Sequence, residues 1–363
     1  MKHIKRIGIL TGGGDCPGLN AVIRGVTKAV MQTYDVRVYG FYDGYRGLVT
    51  GDGKWLEWDD VSGILTLGGT ILGTTNRDNP FEFVDDYSHP ERKRAASRDV
   101  VANYRKLKLD ALVTIGGDGT LASAHKLARL GLNIVAVPKT IDNDVRGTDM
   151  AFGFMAAVTT ATEAIDKIHT TAASHHRVML VEVMGRTAGW LALTSGVAGG
   201  GDVILIPEIP YHLDAIRKKI VDRARRGNPF SIIVVAEGAK PHGGTVVARD
   251  RVLGSHEEVR LGGISAVLAK QIEDVCNLET RYTILGHLQR GGTPTPMDRF
   301  LATEFGTACA ELLARRQFNR MVSLRGQRIA SVPLTVPGRG PRLVSPSSAS
   351  IRMAQSLGTS FGN

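Results

Sequence analysis

Residues 7–18 read Ile-Gly-Ile-Leu-Thr-Gly-Gly-Gly-Asp-Cys-Pro-Gly, and a helical pattern follows from Leu19. A short apolar run therefore leads into glycines and then into the start of a helix. Unpaired N–H groups and the helix dipole at such a start favour an anion such as phosphate. No Gly-Lys-Ser/Thr follows, so the segment is neither a Walker A loop nor a dinucleotide fingerprint. The pattern alone leaves phosphate binding and a plain tight turn both open.

Apolar runs and helical patterns alternate along the whole chain. Strand-like runs lie at Ile7–Leu10, Val36–Phe41, Ala111–Ile115, Ile134–Val137, Val178–Val183, Val203–Ile206, Ile232–Val235 and Tyr282–Leu285. Helical patterns lie at Leu19–Met31, Glu91–Lys106, Leu121–Leu130, Ala156–Thr170, Leu213–Arg225, Gly263–Val275 and Pro296–Arg315. This alternation is typical of parallel sheets with helical crossovers. We therefore predict an α/β protein with two doubly wound, Rossmann-like domains and mostly parallel sheets. A closed (β/α)8 barrel is the alternative.

Composition narrows the class of protein. The chain has 363 residues and a formal net charge of +10, which suits anionic partners. Aromatic residues make up only 6% and do not alternate with basic ones, so we expect no nucleic-acid partner. Three widely spaced cysteines argue against a disulfide framework and a zinc site. No apolar stretch reaches the roughly 18 residues that cross a bilayer, and no signal-peptide pattern is present, so we expect a cytoplasmic protein.

Two further segments with chemical potential follow predicted strands. In Ile115-Gly-Gly-Asp-Gly-Thr120, the glycines let the backbone approach a ligand. Asp118 would place a carboxylate among phosphate oxygens, which usually requires a metal ion between them. In Pro138-Lys-Thr-Ile-Asp-Asn-Asp144, two carboxylates lie two residues apart and would face one way on an extended stretch. One could act as a general base and the other could hold Mg²⁺. A helix cap at Asp118 and an Asx-rich turn at residues 142–144 are the alternatives.

These three segments resemble those of the phosphofructokinase family, and further matching segments follow in the same order. They are Val181-Glu-Val-Met-Gly-Arg186, Ala236-Glu-Gly238, Thr280-Arg281 and Leu285-Gly-His-Leu-Gln-Arg-Gly-Gly292. The likeness covers most of the chain, and its motifs are long and ordered. It implies phosphoryl transfer from ATP to the 1-hydroxyl of fructose 6-phosphate, which gives fructose 1,6-bisphosphate in glycolysis. It also implies Mg²⁺ as cofactor and an active site in the cleft between the two domains.

The resemblance assigns a role to each matching residue. Asp142 is similar to the general base, and Asp118 and Asp144 match the metal position. The residues similar to those that assist the transfer are Thr140, Arg186 and Arg77. The positions that match the donor site are Gly13, Tyr45, Gly117, Asp118, Gly119, Thr120 and Lys139. The positions that match the substrate site are Thr140, Asp142, Asp144, Arg177, Met184, Gly185, Arg186, Glu237, Arg281, His287 and Arg290.

The resemblance also implies a domain plan and an assembly. We expect a donor-binding domain from residues 1–150 plus about 289–325, and a sugar-phosphate-binding domain from 151–288 plus about 326–363. In the family, arginines that match Arg177 and Arg281 reach in from a neighbouring subunit. We therefore expect a homo-oligomer, at least a dimer and by likeness a homotetramer, with active sites shared between subunits. The resemblance places these two arginines at the 6-phosphate of the sugar. Arginine suits that group because its planar fork binds phosphate through two parallel hydrogen bonds.

Two positions point to different phosphoryl donors. In the family, glycine at the position of Gly119 leaves room for the inner phosphates of a nucleotide, whereas pyrophosphate users typically carry aspartate there. Lys139, however, stands where many ATP users have glycine and pyrophosphate users have lysine. We give the missing steric block more weight than the added cation and predict ATP as donor. A pyrophosphate-dependent enzyme with the same acceptor is the alternative.

Two other functions compete with this interpretation. NAD or lipid kinases share the Gly-Gly-Asp-Gly-Thr segment at residues 116–120, but not the Met-Gly-Arg and Gly-His-Leu-Gln-Arg-Gly-Gly segments. A catalytically inactive homologue would be expected to lack Asp118, Asp142 or Arg186, and all three are present. Both alternatives are therefore less favoured than a sugar-phosphate kinase.

Overall fold

The fold is taken from a computed structural model, which describes residues 4–251 and 259–363. Within these ranges the strands are β1 (Arg6–Thr11), β2 (Arg37–Phe41), β3 (Gly53–Leu56), β4 (Phe83–Val84), β5 (Lys93–Arg94), β6 (Ala111–Gly116), β7 (Ile134–Pro138), β8 (Val178–Val183), β9 (Val203–Leu205), β10 (Ser231–Ala236), β11 (Ala248–Arg251), β12 (Val259–Leu261), β13 (Thr280–Ile284), β14 (Arg320–Arg325) and β15 (Arg328–Pro333). The helices are α1 (Leu19–Tyr34), α2 (Tyr45–Thr50), α3 (Ser97–Lys106), α4 (Asp118–Arg129), α5 (Phe154–His175), α6 (Trp190–Ala198), α7 (Leu213–Arg225), α8 (Ile264–Cys276), α9 (Pro296–Ala314) and α10 (Ala349–Ser356). Short 3-10 segments occupy Asp59–Val61, Gly286–Arg290 and Pro337–Arg339.

Two sheets carry the fold. The seven-stranded sheet has the order β15-β14-β7-β6-β1-β2-β3, with β14, β7, β6, β1 and β2 parallel and the two outer strands antiparallel to their neighbours. The four-stranded sheet has the order β13-β8-β10-β9, and all of its pairs are parallel. Both sheets are open, so the α/β prediction with mostly parallel sheets is confirmed and the closed-barrel alternative is wrong.

Helices cover both faces of the large sheet, as the apolar strands require. Leu112 in β6 belongs to the same buried cluster as Leu121 of α4. Its neighbour Val113 points the other way and joins a cluster with Ile23 of α1. Because successive side chains of a strand face opposite sides, this split shows a doubly wound sheet.

All eight predicted strands are present, but the predicted helix Glu91–Lys106 is wrong in its first part. There, β5 pairs with β4, and α3 begins only at Ser97. The guanidinium of Arg94 pairs with Asp85 and with Asp99 at 2.5 Å each, and these exposed ion pairs link the end of β4 to the first turn of α3. The sequence patterns did not predict β3, the β14–β15 hairpin, α2, α6 or α10.

Both strands of the β14–β15 hairpin belong to the large sheet, because β14 pairs with β7 on one side and with β15 on the other. The chain then returns to the small sheet, where Ser360 forms a bridge with Val203. We therefore propose that the domain boundary expected near residue 325 lies after Pro333, and the other boundaries stay predictions. Over the described ranges, none of the helices has the length and apolar character that a bilayer span requires.

Candidate active site

A pocket that is open to solvent lies between the two sheets, and its volume is about 730 Å³ when the space at its opening is included. Its lining residues are Gly13, Gly14, Asn76, Gly117, Asp118, Gly119, Thr120, Lys139, Thr140, Asp142, Asp144, Arg186 and Arg290. Most of them follow the carboxyl ends of β1, β6 and β7, and the two arginines follow β8 and β13 of the small sheet. This edge of parallel sheets is where α/β proteins bind ligands.

The glycine loops after β1 and β6 pack against each other. The Gly12 N–H donates a hydrogen bond of 2.9 Å to the Ile115 carbonyl. A Cβ on Gly12 would lie 2.8 Å from Oγ1 of Thr120, and a Cβ on Gly116 would lie 2.4 Å from Cβ of Thr120. Larger residues at either position would displace Thr120, so glycine lets both loops reach the pocket.

The helix whose N-terminus meets the pocket is α4. Its first residues, Asp118 and Gly119, line the pocket, and the Gly119 N–H donates a 2.7 Å hydrogen bond to Oδ1 of Asp118. The start of α1 is packed elsewhere, because a Cβ on Gly18 would lie 2.8 Å from the ring of Phe152. We expected a phosphate site at the start of α1. Of that segment, Gly13 and Gly14 line the pocket, but the helix N-terminus that meets the pocket is that of α4.

The aspartates after β7 sit on a turn. Asn143 has a left-handed backbone with φ 51°, so the extended stretch that we expected is wrong and the alternative, a turn rich in Asp and Asn, describes the backbone. The Thr140 hydroxyl donates 3.1 Å to Oδ1 of Asp144 and accepts the Asp142 N–H at 3.0 Å. Both carboxylates line the pocket and are almost fully buried. Among the described residues, Oδ1 of Asp142 has no hydrogen-bond partner.

Opposing charges surround these carboxylates. Burial raises the pKa of Asp142, and the cations Arg290, Arg186 and Lys139 act in the opposite direction. Burial also raises the pKa of Asp144, and the negative charges of Asp142 and Asp118 add to that rise. A carboxyl group whose pKa is moved towards neutrality in a pocket is suited to proton transfer.

Asp118 and Asp144 are the residues of the pocket that could hold a metal ion. Their oxygens are the ligands that Mg²⁺ prefers. In the described part of the chain, no group of three or more His, Cys, Asp and Glu side chains is arranged to hold a metal by itself. A magnesium ion here would take its remaining ligands from phosphate and water, which is usual for this ion.

Arg186 reaches the pocket from a strained loop after β8. Its backbone is left-handed with φ 51°, and its N–H donates a 3.0 Å hydrogen bond to Oε1 of Glu237. A Cβ on Gly238 would lie 1.9 Å from the Arg186 carbonyl oxygen, so only glycine permits this approach. Burial raises the pKa of Glu237 to about 7, and the charge of Asp142 contributes to the rise.

Arg290 and Lys139 contact the glycine loop after β1. Nη1 of Arg290 donates a 3.1 Å hydrogen bond to the Asp15 carbonyl, and a Cβ on Gly14 would lie 2.6 Å from the same atom. The Lys139 ammonium donates to the Gly14 carbonyl, and Lys139 is buried. Gly14 was missed by the sequence prediction, although it belongs to the quoted glycine motif.

Several predicted site residues lie outside the lining of the pocket. Tyr45 is buried, and its hydroxyl donates a 2.8 Å hydrogen bond to the Thr120 carbonyl, so it supports the first turn of α4 and does not line the pocket. Arg77 stacks 5.3 Å from the ring centroid of Tyr87, and its neighbour Asn76 lines the pocket instead. Four more residues predicted for the substrate site lie near lining residues without lining the pocket themselves. Met184 and Gly185 directly precede Arg186, and Glu237 accepts the Arg186 N–H. His287 lies three residues before Arg290.

Neither of the two arginines expected at subunit boundaries lines the pocket: Arg281 lies on β13 of the small sheet, and Arg177 directly precedes β8. Nε of Arg177 lies 2.7 Å from Oε2 of Glu279, and Arg281 pairs with the same carboxylate through its other oxygen. Arg281 is exposed on β13, the edge strand of its sheet. Neither arginine contributes to the pocket of its own chain.

Comparison with known proteins gives a consistent result. The family model described as "Phosphofructokinase" matches residues 6–313. The chain is 50% identical over 365 residues to "ATP-dependent 6-phosphofructokinase 2" of Clostridium perfringens, with both proteins covered completely. It is 48% identical over 359 residues to "ATP-dependent 6-phosphofructokinase" of Spirochaeta thermophila, which covers 99% of this chain and 98% of that protein.

Solved structures share the fold. The T-state phosphofructokinase of Pichia pastoris superposes with a TM-score of 0.78 at 35% identity, over 92% of this chain and 35% of that one. The pyrophosphate-dependent phosphofructokinase of Marinobacter aquaeolei superposes with a TM-score of 0.79 over 98% of this chain and 92% of that one. Its identity is only 21%, so it shows the fold alone.

Proposed function

The chain belongs to the phosphofructokinase family, and on that premise we propose that it transfers the γ-phosphoryl group of ATP to the 1-hydroxyl of fructose 6-phosphate. The product is fructose 1,6-bisphosphate, and the reaction is a step of glycolysis. Relatives named ATP-dependent 6-phosphofructokinase that match the full length of the chain support this activity. One observation carries it: Asp142, with an unpartnered carboxylate oxygen, lines the same pocket as the start of α4 and two arginines.

Asp142 acts as the general base. Its Oδ1 accepts the proton of the sugar 1-hydroxyl as that oxygen attacks the γ-phosphorus. The bond between the γ-phosphorus and the bridging oxygen breaks in line with the attack, and ADP leaves with the electron pair. Burial raises the pKa of Asp142, and the charges of Arg290, Arg186 and Lys139 act against that rise, so they favour the ionised form, which is the form that accepts a proton.

The residues around the transferred group stabilise its negative charge. N–H groups at the start of α4 and in the glycine loops face the donor phosphates, and Arg186 neutralises charge that spreads over the phosphoryl oxygens. Thr140 orients Asp142 and Asp144 through the two hydrogen bonds of its hydroxyl. Arg77 is a further candidate for this role, and its stacking on Tyr87 would have to open for it to reach the donor.

Mg²⁺ is the proposed cofactor, with Asp118 and Asp144 as its protein ligands. The two carboxylates fit the ion, because they are oxygen donors at a pocket where burial, and then the like charges of Asp142 and Asp118, raise the pKa of Asp144. When bound, Mg²⁺ supplies positive charge that neutralises phosphate oxygens. Asp118 is held for this role by the Gly119 N–H.

ATP is favoured over pyrophosphate as the donor. Gly119 presents no side chain at the start of α4, so the inner phosphates of a nucleotide meet no added bulk or charge there. The ammonium of Lys139 is engaged with the Gly14 carbonyl, which is a structural role that any donor would tolerate. Pyrophosphate remains the second candidate, because Lys139 also adds positive charge beside the pocket.

We propose that the substrate side of the site is completed by a second subunit. Met184, Gly185, Arg186 and Glu237 would hold the sugar, and His287 and Arg290 would contact the 6-phosphate. Neither Arg177 nor Arg281 lines the pocket of its own chain: Arg281 lies on β13, the edge strand of the small sheet, and Arg177 directly precedes β8 and pairs with Glu279. Both could therefore contribute to the site of a neighbouring subunit. The proposed assembly is a homotetramer, and the proposed location is the cytoplasm, where ATP and hexose phosphates meet.

The experiment supplies purified protein with fructose 6-phosphate and Mg²⁺, together with either ATP or pyrophosphate. Enzymes that consume fructose 1,6-bisphosphate report the product. We expect turnover with ATP and little or none with pyrophosphate. Turnover with pyrophosphate alone would overturn the choice of donor, and turnover with neither would overturn the proposed activity.

A further inference from the structure

The segment from Gly340 to Val344 crosses between the two sheets beside the active site. This segment is part of the Pro- and Gly-rich stretch at residues 336–350. Residues 340–344 themselves form neither helix nor strand. On one side it contacts the loop that carries Asp142 and Asp144. On the other side it contacts the start of α6, which follows the loop that carries Arg186. We call residues 340–344 the bridging segment.

Arg342 makes most of the contacts with the aspartate loop. Its Nη2 donates to the carbonyl of Asn143 at 2.8 Å and to the carbonyl of Asp149 at 3.0 Å. Its backbone N–H donates to the carbonyl of Asp144 at 2.6 Å. The loop is therefore held at both ends of the turn in which Asn143 takes its left-handed conformation.

The same residue is fixed to the small-sheet side by Trp190. The guanidinium of Arg342 lies 4.2 Å from the centroid of the indole ring, and the indole Nε1 donates a 2.8 Å hydrogen bond to the Arg342 carbonyl. Trp190 is the first residue of α6 and lies four positions after Arg186. Cation–π stacking of this kind is strongest with tryptophan.

A second contact secures the far end of the bridging segment. The Val344 N–H donates a 2.8 Å hydrogen bond to Oε1 of Glu208, and Oε1 and Oε2 of Glu208 accept the Gly189 N–H at 3.0 and 3.1 Å. Gly189 directly precedes Trp190. The segment thus contacts Trp190 directly and Gly189 through Glu208, while Arg342 holds the aspartate loop.

We propose that Arg342 is a positioning residue, which fixes the loop carrying Asp142 relative to the loop carrying Arg186. This inference rests on the proposed function, because it concerns the geometry of the same transfer. The base and the phosphate-binding arginine come from different sheets, so their separation depends on contacts between those sheets. Displacement of a reacting group by about 1 Å can lower a rate by about a hundredfold.

Arginine is required for this role by its shape. A planar guanidinium can stack on an indole and, at the same time, donate in its own plane to two carbonyl oxygens. Lysine keeps the charge but has neither the flat surface nor the fixed fork. Loss of the guanidinium should therefore affect the reaction geometry even when the charge stays.

The test compares Arg342→Met, Arg342→Lys and Trp190→Phe with wild type. Arg339→Met is the matched control, because Arg339 is exposed three residues earlier in the same stretch. Each protein is assayed for kcat and for both KM values, with kcat corrected for the folded fraction measured by thermal unfolding. Wild-type turnover with ATP and fructose 6-phosphate is established first, so an inactive wild type would count against the proposed function and not against this inference.

We expect Arg342→Met to lower the corrected kcat by about tenfold or more, with KM values changed by less than about threefold. Arg342→Lys should recover only a small part of the loss, Trp190→Phe should lower kcat by about threefold, and Arg339→Met should match wild type. A corrected kcat for Arg342→Met within about twofold of wild type would overturn the proposal. If Arg342→Met does not fold, a normal corrected kcat in both Arg342→Lys and Trp190→Phe would overturn it as well.

Discussion

The backbone N–H of Arg186 donates a 3.0 Å hydrogen bond to Oε1 of Glu237, a residue that follows a different strand of the small sheet. Arg186 has φ 51°, and a left-handed backbone costs a non-glycine residue about 1–2 kcal/mol. The bond to Glu237 offsets part of that cost and keeps Arg186 at the pocket. Glu237 is itself held in an unfavourable setting, because burial raises its pKa to about 7.

Glu237→Gln should stabilise the protein at alkaline pH and leave its stability unchanged in acid. The folded pKa of about 7 lies above the ordinary glutamate pKa of 4.5. As pH rises between these values, the unfolded chain releases a proton that the folded protein keeps, so wild type loses stability. The neutral amide removes this loss, which amounts to at most about 3 kcal/mol. Its oxygen still accepts the Arg186 N–H.

Thermal unfolding near pH 5 and near pH 8 checks this prediction. Glu163→Gln is the control, because Glu163 is exposed on α5. The same gain in Tm at both pH values would contradict the ionisation of a buried Glu237 as the cause. Under the proposed function, Glu237→Gln should also raise the KM for fructose 6-phosphate.

Gly238→Ala should disturb Arg186 directly. The added Cβ would lie 1.9 Å from the Arg186 carbonyl oxygen, which is a backbone atom that cannot rotate away. We expect a loss of stability of about 1–3 kcal/mol and a fall in kcat as Arg186 moves. Gly338→Ala is the matched control, because a Cβ there meets nothing within 4 Å. Chemical denaturation and the coupled assay measure both effects, and a variant as stable and active as the control would refute the close approach.

Gly119→Asp should weaken the use of ATP. A second carboxylate at the start of α4 would face the inner phosphates of the nucleotide beside Asp118. Repulsion between like charges at about 4 Å is worth about 1–4 kcal/mol, so kcat/KM for ATP should fall about ten- to thousandfold. Gly338→Asp adds the same side chain away from the pocket. An unchanged kcat/KM for ATP in Gly119→Asp would show that this position does not select the donor.

Local patterns predicted the core of the fold, and long-range contacts decided what they missed. Strands buried on both faces are apolar throughout, so runs such as Ala111–Ile115 identified them. The β14–β15 hairpin lies at the edge of the sheet, where β15 mixes half-buried and exposed residues, and it gave no such run. The helix predicted from Glu91 fails for a related reason, because Lys93 and Arg94 pair with β4, a contact that the local pattern does not show.

The candidate site divides in the same way. Gly13, Asp118 and Asp142 lie in short contiguous motifs, so their sequence neighbours were enough to predict positions that line the pocket. Arg342 contacts Asn143 across 199 positions of the chain, and nothing in its own Pro- and Gly-rich neighbourhood signals that contact. Asn76 lines the pocket beside Arg77 because of how one loop folds, which spacing alone does not determine.

The most direct test of the central claim compares Asp142→Asn with wild type in the ATP and fructose 6-phosphate assay. Asp214→Asn, an exposed change on α7, is the control. The amide keeps the shape of the carboxylate but cannot accept the hydroxyl proton. We predict a fall in kcat of about 10²- to 10⁴-fold, with both KM values within about threefold of wild type. A kcat for Asp142→Asn close to that of the control would show that Asp142 is not the base.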